Sequence, residues 1–184
     1  MRSQKRGIAA AIVALSMVFT LAPSGGQPAN ALGASDWNPG NIISDALFYD
    51  AAAMTETEIQ AFLNSKVSSC GNSQCLRNLR ADVDSRPASY SSNTGNLICG
   101  AFEGGNLSAA TIIYRAQVAC GVSAKVILVT LQKEQGLITN PSPSEAAIKR
   151  AMGMACSDTA PCASYALGFG NQVYLGTKQL MTYK

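Results

Sequence analysis

The sequence predicts a mainly α domain with a loop-rich layer tied by disulfides. Three observations carry this reading. Helix start and stop residues bracket apolar stripes at several places after Thr55. Between those stripes, from Val67 to Asn106, Gly, Ser and Asn dominate and neither helical nor strand periodicity persists. All six cysteines lie beyond Lys66, an even set that reads as a disulfide framework in an exported domain.

The first element begins at Thr55, where Glu58 three residues later completes a capping box. Ile59, Phe62 and Leu63 then form one apolar stripe, which predicts a helix from about Glu56 to Ser65. Ser108 serves as N-cap of a second helix running through Ala119, with Gly121 as its stop. Asn106-Leu107-Ser108 also matches a glycosylation acceptor, a pattern frequent by chance. Ser123 caps a third helix in which Val126, Ile127, Leu128, Val129 and Leu131 are apolar nearly all round, the pattern of a central core helix. Ser142, Pro143 and Glu145 supply a cap, a first-turn proline and a capping-box acid for a helix from Ala146 to Met152 that Gly153 ends. A last helix runs from about Asn171 to Tyr183, with Gly176 a weak point inside it.

The N-terminus reads differently. Arg2, Lys5 and Arg6 precede an apolar run from Gly7 to Ala22 and a small-residue stretch ending Ala29-Asn30-Ala31, the order of a signal peptide over residues 1–31. Pro23, Gly25, Gly26 and Pro28 close the run before it reaches the roughly 20 residues a bilayer span needs. Residues 32–53 read as a flexible leader containing Trp37, the only tryptophan, and 54–184 as the folded domain. Without the signal's three basic residues the remaining chain holds eleven basic and eleven acidic groups. That balance offers no basic surplus for nucleic acid or an anionic membrane surface, and a monomer that leaves the membrane after signal cleavage is expected.

Among the cysteines, Cys70 with Cys75 and Cys156 with Cys162 are close enough to clip small loops, which leaves Cys99 with Cys120. Each bridge is expected to contribute about 2 to 4 kcal/mol, less for short loops, by restricting the unfolded chain. There is no histidine, which removes serine–histidine triads, histidine-activated cysteines and the commonest zinc ligand. Asp82 and Asp84 lack the further oxygen ligands and the glycine of a calcium loop. Neither a metal nor a cofactor is implied, and carboxylates are the leading acid/base candidates.

Glu134 stands out among them. It occupies the last turn of the third helix and, at 3.6 residues per turn, lies over Ile127, Thr130 and Leu131. The negative end of the helix dipole and the adjoining apolar side chains both favour its protonated form. Glycoside cleavage requires such an acid, because the leaving sugar oxygen must receive a proton as its bond breaks. The competing reading makes Gln132 to Gln135 the wet end of the helix.

The stretch from Ser123 to Gly136 resembles the catalytic helix of lysozyme-like lytic transglycosylases, in which a glutamate closes an apolar helix. Gly153-Met154-Ala155-Cys156 loosely resembles the Gly-Leu-Met-Gln turn of those enzymes, and Asn171 to Leu180 their following helix. Gln135 and Ala155-Cys156 depart from the wider pattern. A closer resemblance is to secreted bacterial cell-wall hydrolase-type proteins, often described as hemagglutinin-like. It rests on Met54 to Leu63, Leu131 to Leu137, Cys156 to Cys162 and Gly168 to Tyr174, and covers most of the chain after the signal.

The resemblance implies an α+β fold of the lysozyme-like superfamily. It also implies cleavage of the β-1,4 glycan strand of peptidoglycan or a related amino-sugar polymer, as a lytic transglycosylase or a muramidase, outside the cell or at its wall. Glu134 takes the place of the catalytic acid and Met154 falls in the substrate-contacting turn. The chain stops at Lys184, before the segment whose tyrosine completes the transglycosylase cleft, so Tyr165 and Tyr174 are the nearest substitutes, with a core role the alternative. Asp158 is a candidate second carboxylate, for water or for the charged sugar. Gln132, Asn171 and Gln172 are candidate donors to acetamido groups, or else capping and packing residues. The rival classes are a non-catalytic glycan-binding or adhesion module on the same scaffold, and a secreted inhibitor or structural protein.

Overall fold

The computed structural model of the chain describes residues 38–40, 42–157 and 159–184. The chain divides into two units, Met1–Asn38 and Pro39–Lys184, and the described residues fall almost wholly in the second. The signal peptide, Trp37 and Asp158 lie outside the described residues. In chain order the elements are α1 (Asp45–Phe48), α2 (Glu56–Lys66), β1 (Arg80–Val83), β2 (Ser89–Tyr90), β3 (Leu97–Cys99), β4 (Gly105–Ser108), α3 (Ala109–Cys120), α4 (Ala124–Gln135), α5 (Glu145–Lys149) and α6 (Phe169–Met181). This is an α-rich domain with two small antiparallel pairs. Among the described residues no helix is long and apolar enough to cross a membrane.

Local signals place most helix ends. Thr55 and Glu58 form the capping box of α2: the Thr55 hydroxyl accepts from the Glu58 N–H, and the Glu58 carboxylate accepts from the Thr55 N–H at 2.8 Å. The backbone and side-chain hydrogen bonds from Thr55 hold the Glu58 carboxyl below its usual range. Ser108 caps α3, and Gly121, at φ 70°, ends it. Ser123 caps α4, and Gly136, at φ 64°, ends it. The fourth cap falls elsewhere: the Ser144 hydroxyl, not Ser142, accepts from the Ala147 N–H, and α5 is only five residues long. Its chain leaves the helix at Arg150 and turns through Gly153.

The aperiodic layer contains strands too short to show a period. β1 pairs with β4, with Arg80 opposite Ser108 and Val83 opposite Gly105, while β2 pairs with β3 across Ser89 and Cys99. All three expected disulfides are present: Cys70–Cys75, Cys99–Cys120 and Cys156–Cys162. Cys99–Cys120 joins β3 to the end of α3 and so fastens the layer to the helices.

The centre of the core is α3, a correction to the expectation for α4. Ile112, Ile113 and Ala116 of α3 are wholly buried, and α3 meets α2, α4, α6, β3 and β4. Its small residues Ala109, Ala110 and Ala116 let neighbouring backbones approach. Gln117, also buried, accepts from the Ala124 N–H at 2.8 Å and donates to the Met54 carbonyl at 2.7 Å, tying the entrances of α2 and α4 to α3. In α4, Ile127, Leu128 and Leu131 face this core, but Val129 is 66% exposed.

Residues 39–53, read from the sequence as part of the leader, fall in the unit Pro39–Lys184. Within it, the Ser123 N–H donates to the Phe48 carbonyl at 2.9 Å. Gly176 is a packing site: a Cβ there would meet the Met152 side chain at 3.1 Å.

Candidate active site

Glu134 stands in the last turn of α4, before the glycine that stops the helix. Its side chain is 33% exposed, and Oε1 pairs with Lys133 Nζ at 3.1 Å. The other carboxylate oxygen faces the protein: a Cβ on Gly153 would lie 3.0 Å from Glu134 Oε2. Gly153 therefore serves two needs. Its φ of 67° is strained for any residue with a side chain, and its bare Cα is the shelf on which the carboxylate rests.

That shelf is held from within by Gln172. Its Oε1 accepts from the Met152 N–H at 3.1 Å and the Met154 N–H at 3.0 Å, and its Nε2 donates to the carbonyls of Met154 at 2.9 Å and Ala166 at 2.8 Å. Gln172 is 0% exposed. With both ends of its amide committed, it organises the turn and does not reach a sugar, which replaces the binding role weighed for it. On the outer side, the Cys156–Cys162 bridge and the Ala163 N–H to Ala155 carbonyl bond at 2.9 Å close the following loop.

The remaining candidates separate. Met154 is half-buried at the shelf beside Glu134's perch. Tyr174 is 2% exposed, edge-on to Phe102 at 5.3 Å, so it is a core residue and not a cleft residue. Tyr165 is 64% exposed, in a short 3-10 turn from Ser164 to Ala166. Gln132 precedes Glu134 by two residues and so points about 200° away around the helix. Its Oε1 accepts from the Ile138 N–H at 3.0 Å and the Thr139 N–H at 3.3 Å, stapling the segment after α4. It lines a groove of about 500 Å³ with Met54, Phe62 and Leu128, away from the Gly153 shelf. A second apolar groove, of about 620 Å³, runs between α1 and α4 and shares Lys125 and Val129 with the first. Neither groove is lined by Glu134.

Asn171 accepts from Arg86 Nη2 at 2.8 Å and donates to the Leu167 carbonyl at 3.0 Å. It thus orients an arginine that nothing in the sequence singles out. Arg86 lies in the loop-rich layer without a periodic or motif signal, and its position beside α6 follows from tertiary contact alone. Among the described residues no group of three or more His, Cys, Asp or Glu could hold a metal ion.

The structure thus brings together Glu134, Gly153 and Met154, with Gln172 behind them, while Asn171, the neighbour of Gln172 on α6, holds Arg86. A carboxylate with one oxygen close to the Gly153 backbone and a third of its side chain open to solvent can exchange a proton with a ligand lying over it. No family model matches the chain, no curated protein is similar to it, and no solved structure resembles it.

Proposed function

We propose that the protein cleaves the glycan strand of peptidoglycan or a related amino-sugar polymer, with Glu134 as the single general acid and base. The observation that carries this reading is the seat of Glu134: its carboxylate rests on the Gly153 backbone, in a turn built by Gln172, while a third of its side chain stays open. A carboxyl so placed first donates a proton to the departing sugar oxygen. It then removes one, either from the sugar's own hydroxymethyl group, giving an anhydro end, or from water, giving a reducing end.

The resemblance of the Ser123 to Gly136 stretch to the catalytic helix of lysozyme-like enzymes supports the reading, since an apolar helix ends in the acid. The signal-like N-terminus and three disulfides support export, since disulfides persist in oxidising compartments. A glycan-binding module without catalysis is the second reading. It is favoured by the ion pair between Glu134 and the exposed Lys133.

The test is incubation of the oxidised protein with insoluble peptidoglycan beside a Glu134→Gln variant, with mass spectrometry of the released sugars. The parent is expected to release soluble fragments and the variant at least about 100-fold less, the usual contribution of a positioned acid. Intact wall with retained binding by both proteins would refute cleavage and establish the binding module.

A further inference from the structure

Arg86 differs from the other arginines of the domain. Arg77 and Arg115 place their guanidinium groups on main-chain carbonyls, those of Val67 and Glu103 among them. Arg86 is half-buried, and its side chain makes one hydrogen bond, from Nη2 to the neutral amide oxygen of Asn171. Its guanidinium carbon lies 5.4 Å from the centre of the Tyr174 ring, so the cation rests on an aromatic face. The buried Nε has no hydrogen-bond partner. Among the described residues no carboxylate lies within 4.0 Å of it.

A guanidinium stays charged at any physiological pH, and partial burial without a counter-charge is unfavourable unless a ligand supplies one. The backbone adds rigidity, since Arg86 exchanges both main-chain hydrogen bonds with Phe102, each at 2.8 Å. Tyr174 and Asn171 fix the plane and one nitrogen of the group. What remains is the Nη end of a pre-positioned fork, whose geometry matches two carboxylate oxygens. Helix α6 links Arg86 to the turn under Glu134. Asn171 and Gln172 are consecutive, so their side chains diverge by about 100°; one reaches Arg86 and the other builds the shelf under Glu134.

We infer that Arg86 binds a carboxylate of the substrate strand and selects an acidic amino-sugar polymer, bearing lactyl or peptide carboxylates, over a neutral one. The inference rests on the glycan reading of the site. Asn171 is the positioning residue for Arg86.

The test is calorimetric titration of the full, oxidised chain carrying Glu134→Gln, so that no turnover intervenes. The probes are a soluble muropeptide, its methyl ester and neutral chitotetraose. The free muropeptide is expected to bind roughly 10- to 100-fold more tightly than its ester, the loss that follows when a charge-assisted hydrogen bond is removed. Arg86→Gln should abolish that preference, Arg86→Lys should keep part of it, and neither should change chitotetraose affinity. The ester comparison stands even if a substitution at Arg86 unfolds the chain. Equal affinity for acid and ester would overturn the role of Arg86 and leave the glycan reading intact. Failure to bind any of the three probes would overturn both.

Discussion

Helices α3 and α4 are twins by local criteria. Each has twelve residues, a serine N-cap and a left-handed glycine at its C-terminus. By side-chain size α4 is the greasier at its centre, with Val, Ile, Leu and Val in succession, whereas α3 combines Ile112 and Ile113 with four alanines, Ala109, Ala110, Ala116 and Ala119. Yet α3 buries seven of its residues and α4 only four; each leaves one valine exposed, Val118 and Val129, but α4 also lines two grooves. The difference teaches that burial follows the number of neighbours a helix can admit. Alanines in α3 let α2, α4, α6 and the strands close in, while bulky branched residues on α4 cover part of its own surface. The same openness leaves the end of α4 accessible, where Glu134 meets Gly153.

Four variants probe this comparison, beginning with the largest effect on stability. Ile112→Ala in α3 empties a wholly buried site and is expected to cost about 2 to 5 kcal/mol in chemical denaturation. A loss below 1 kcal/mol would mean that α3 is not the centre. Replacing Cys99 and Cys120 together by serine removes the bridge between β3 and α3, which closes a loop spanning 21 residues. The expected loss is about 3 kcal/mol, and an unchanged denaturation midpoint would break the link between layer and helices.

Gly153→Ala puts a Cβ against the Glu134 carboxylate in a left-handed backbone. We expect a cost of about 1 to 2 kcal/mol and a larger proportional loss of glycan cleavage, because the acid loses its seat; thermal melts beside fragment release separate the two. Wild-type cleavage by this variant would show that the shelf does not position Glu134. At the small end, Val129→Ser on the open face of α4 should change stability by less than about 0.5 kcal/mol, the range for surface positions. A loss above 1 kcal/mol would show that this face is covered in solution.

Legibility in the sequence tracked the range of the interactions. The capping box of α2, the Ser108 and Ser123 caps, the Gly121 stop and the pairing of the two small cysteine loops all join residues within a few positions, and all stand where the sequence places them; Gly153 does not, because α5 ends earlier, at Lys149. Ser144 displaced Ser142 as the cap of α5 because serines two apart satisfy the same rule and the backbone direction chooses between them. Glu134 was legible as a misplaced carboxylate at a helix end. Gln172 and Tyr174 were legible only as polar and aromatic residues on the same helix, and their inward direction depends on what α6 packs against.

By itself, then, the sequence determined the helical class, the starts of α2, α3 and α4, the two small disulfide loops and the location of Glu134 at a helix end, because short-range hydrogen bonds and steric limits specify them. Tertiary structure alone decided that α3 is the hub, that Gly153 is a seat for Glu134 and that Gln172 braces the turn 20 residues before it. It also brought Arg86 to Asn171 across 85 residues. Such meetings depend on how elements stack, and stacking is set by the joint fit of many side chains, which no local pattern encodes.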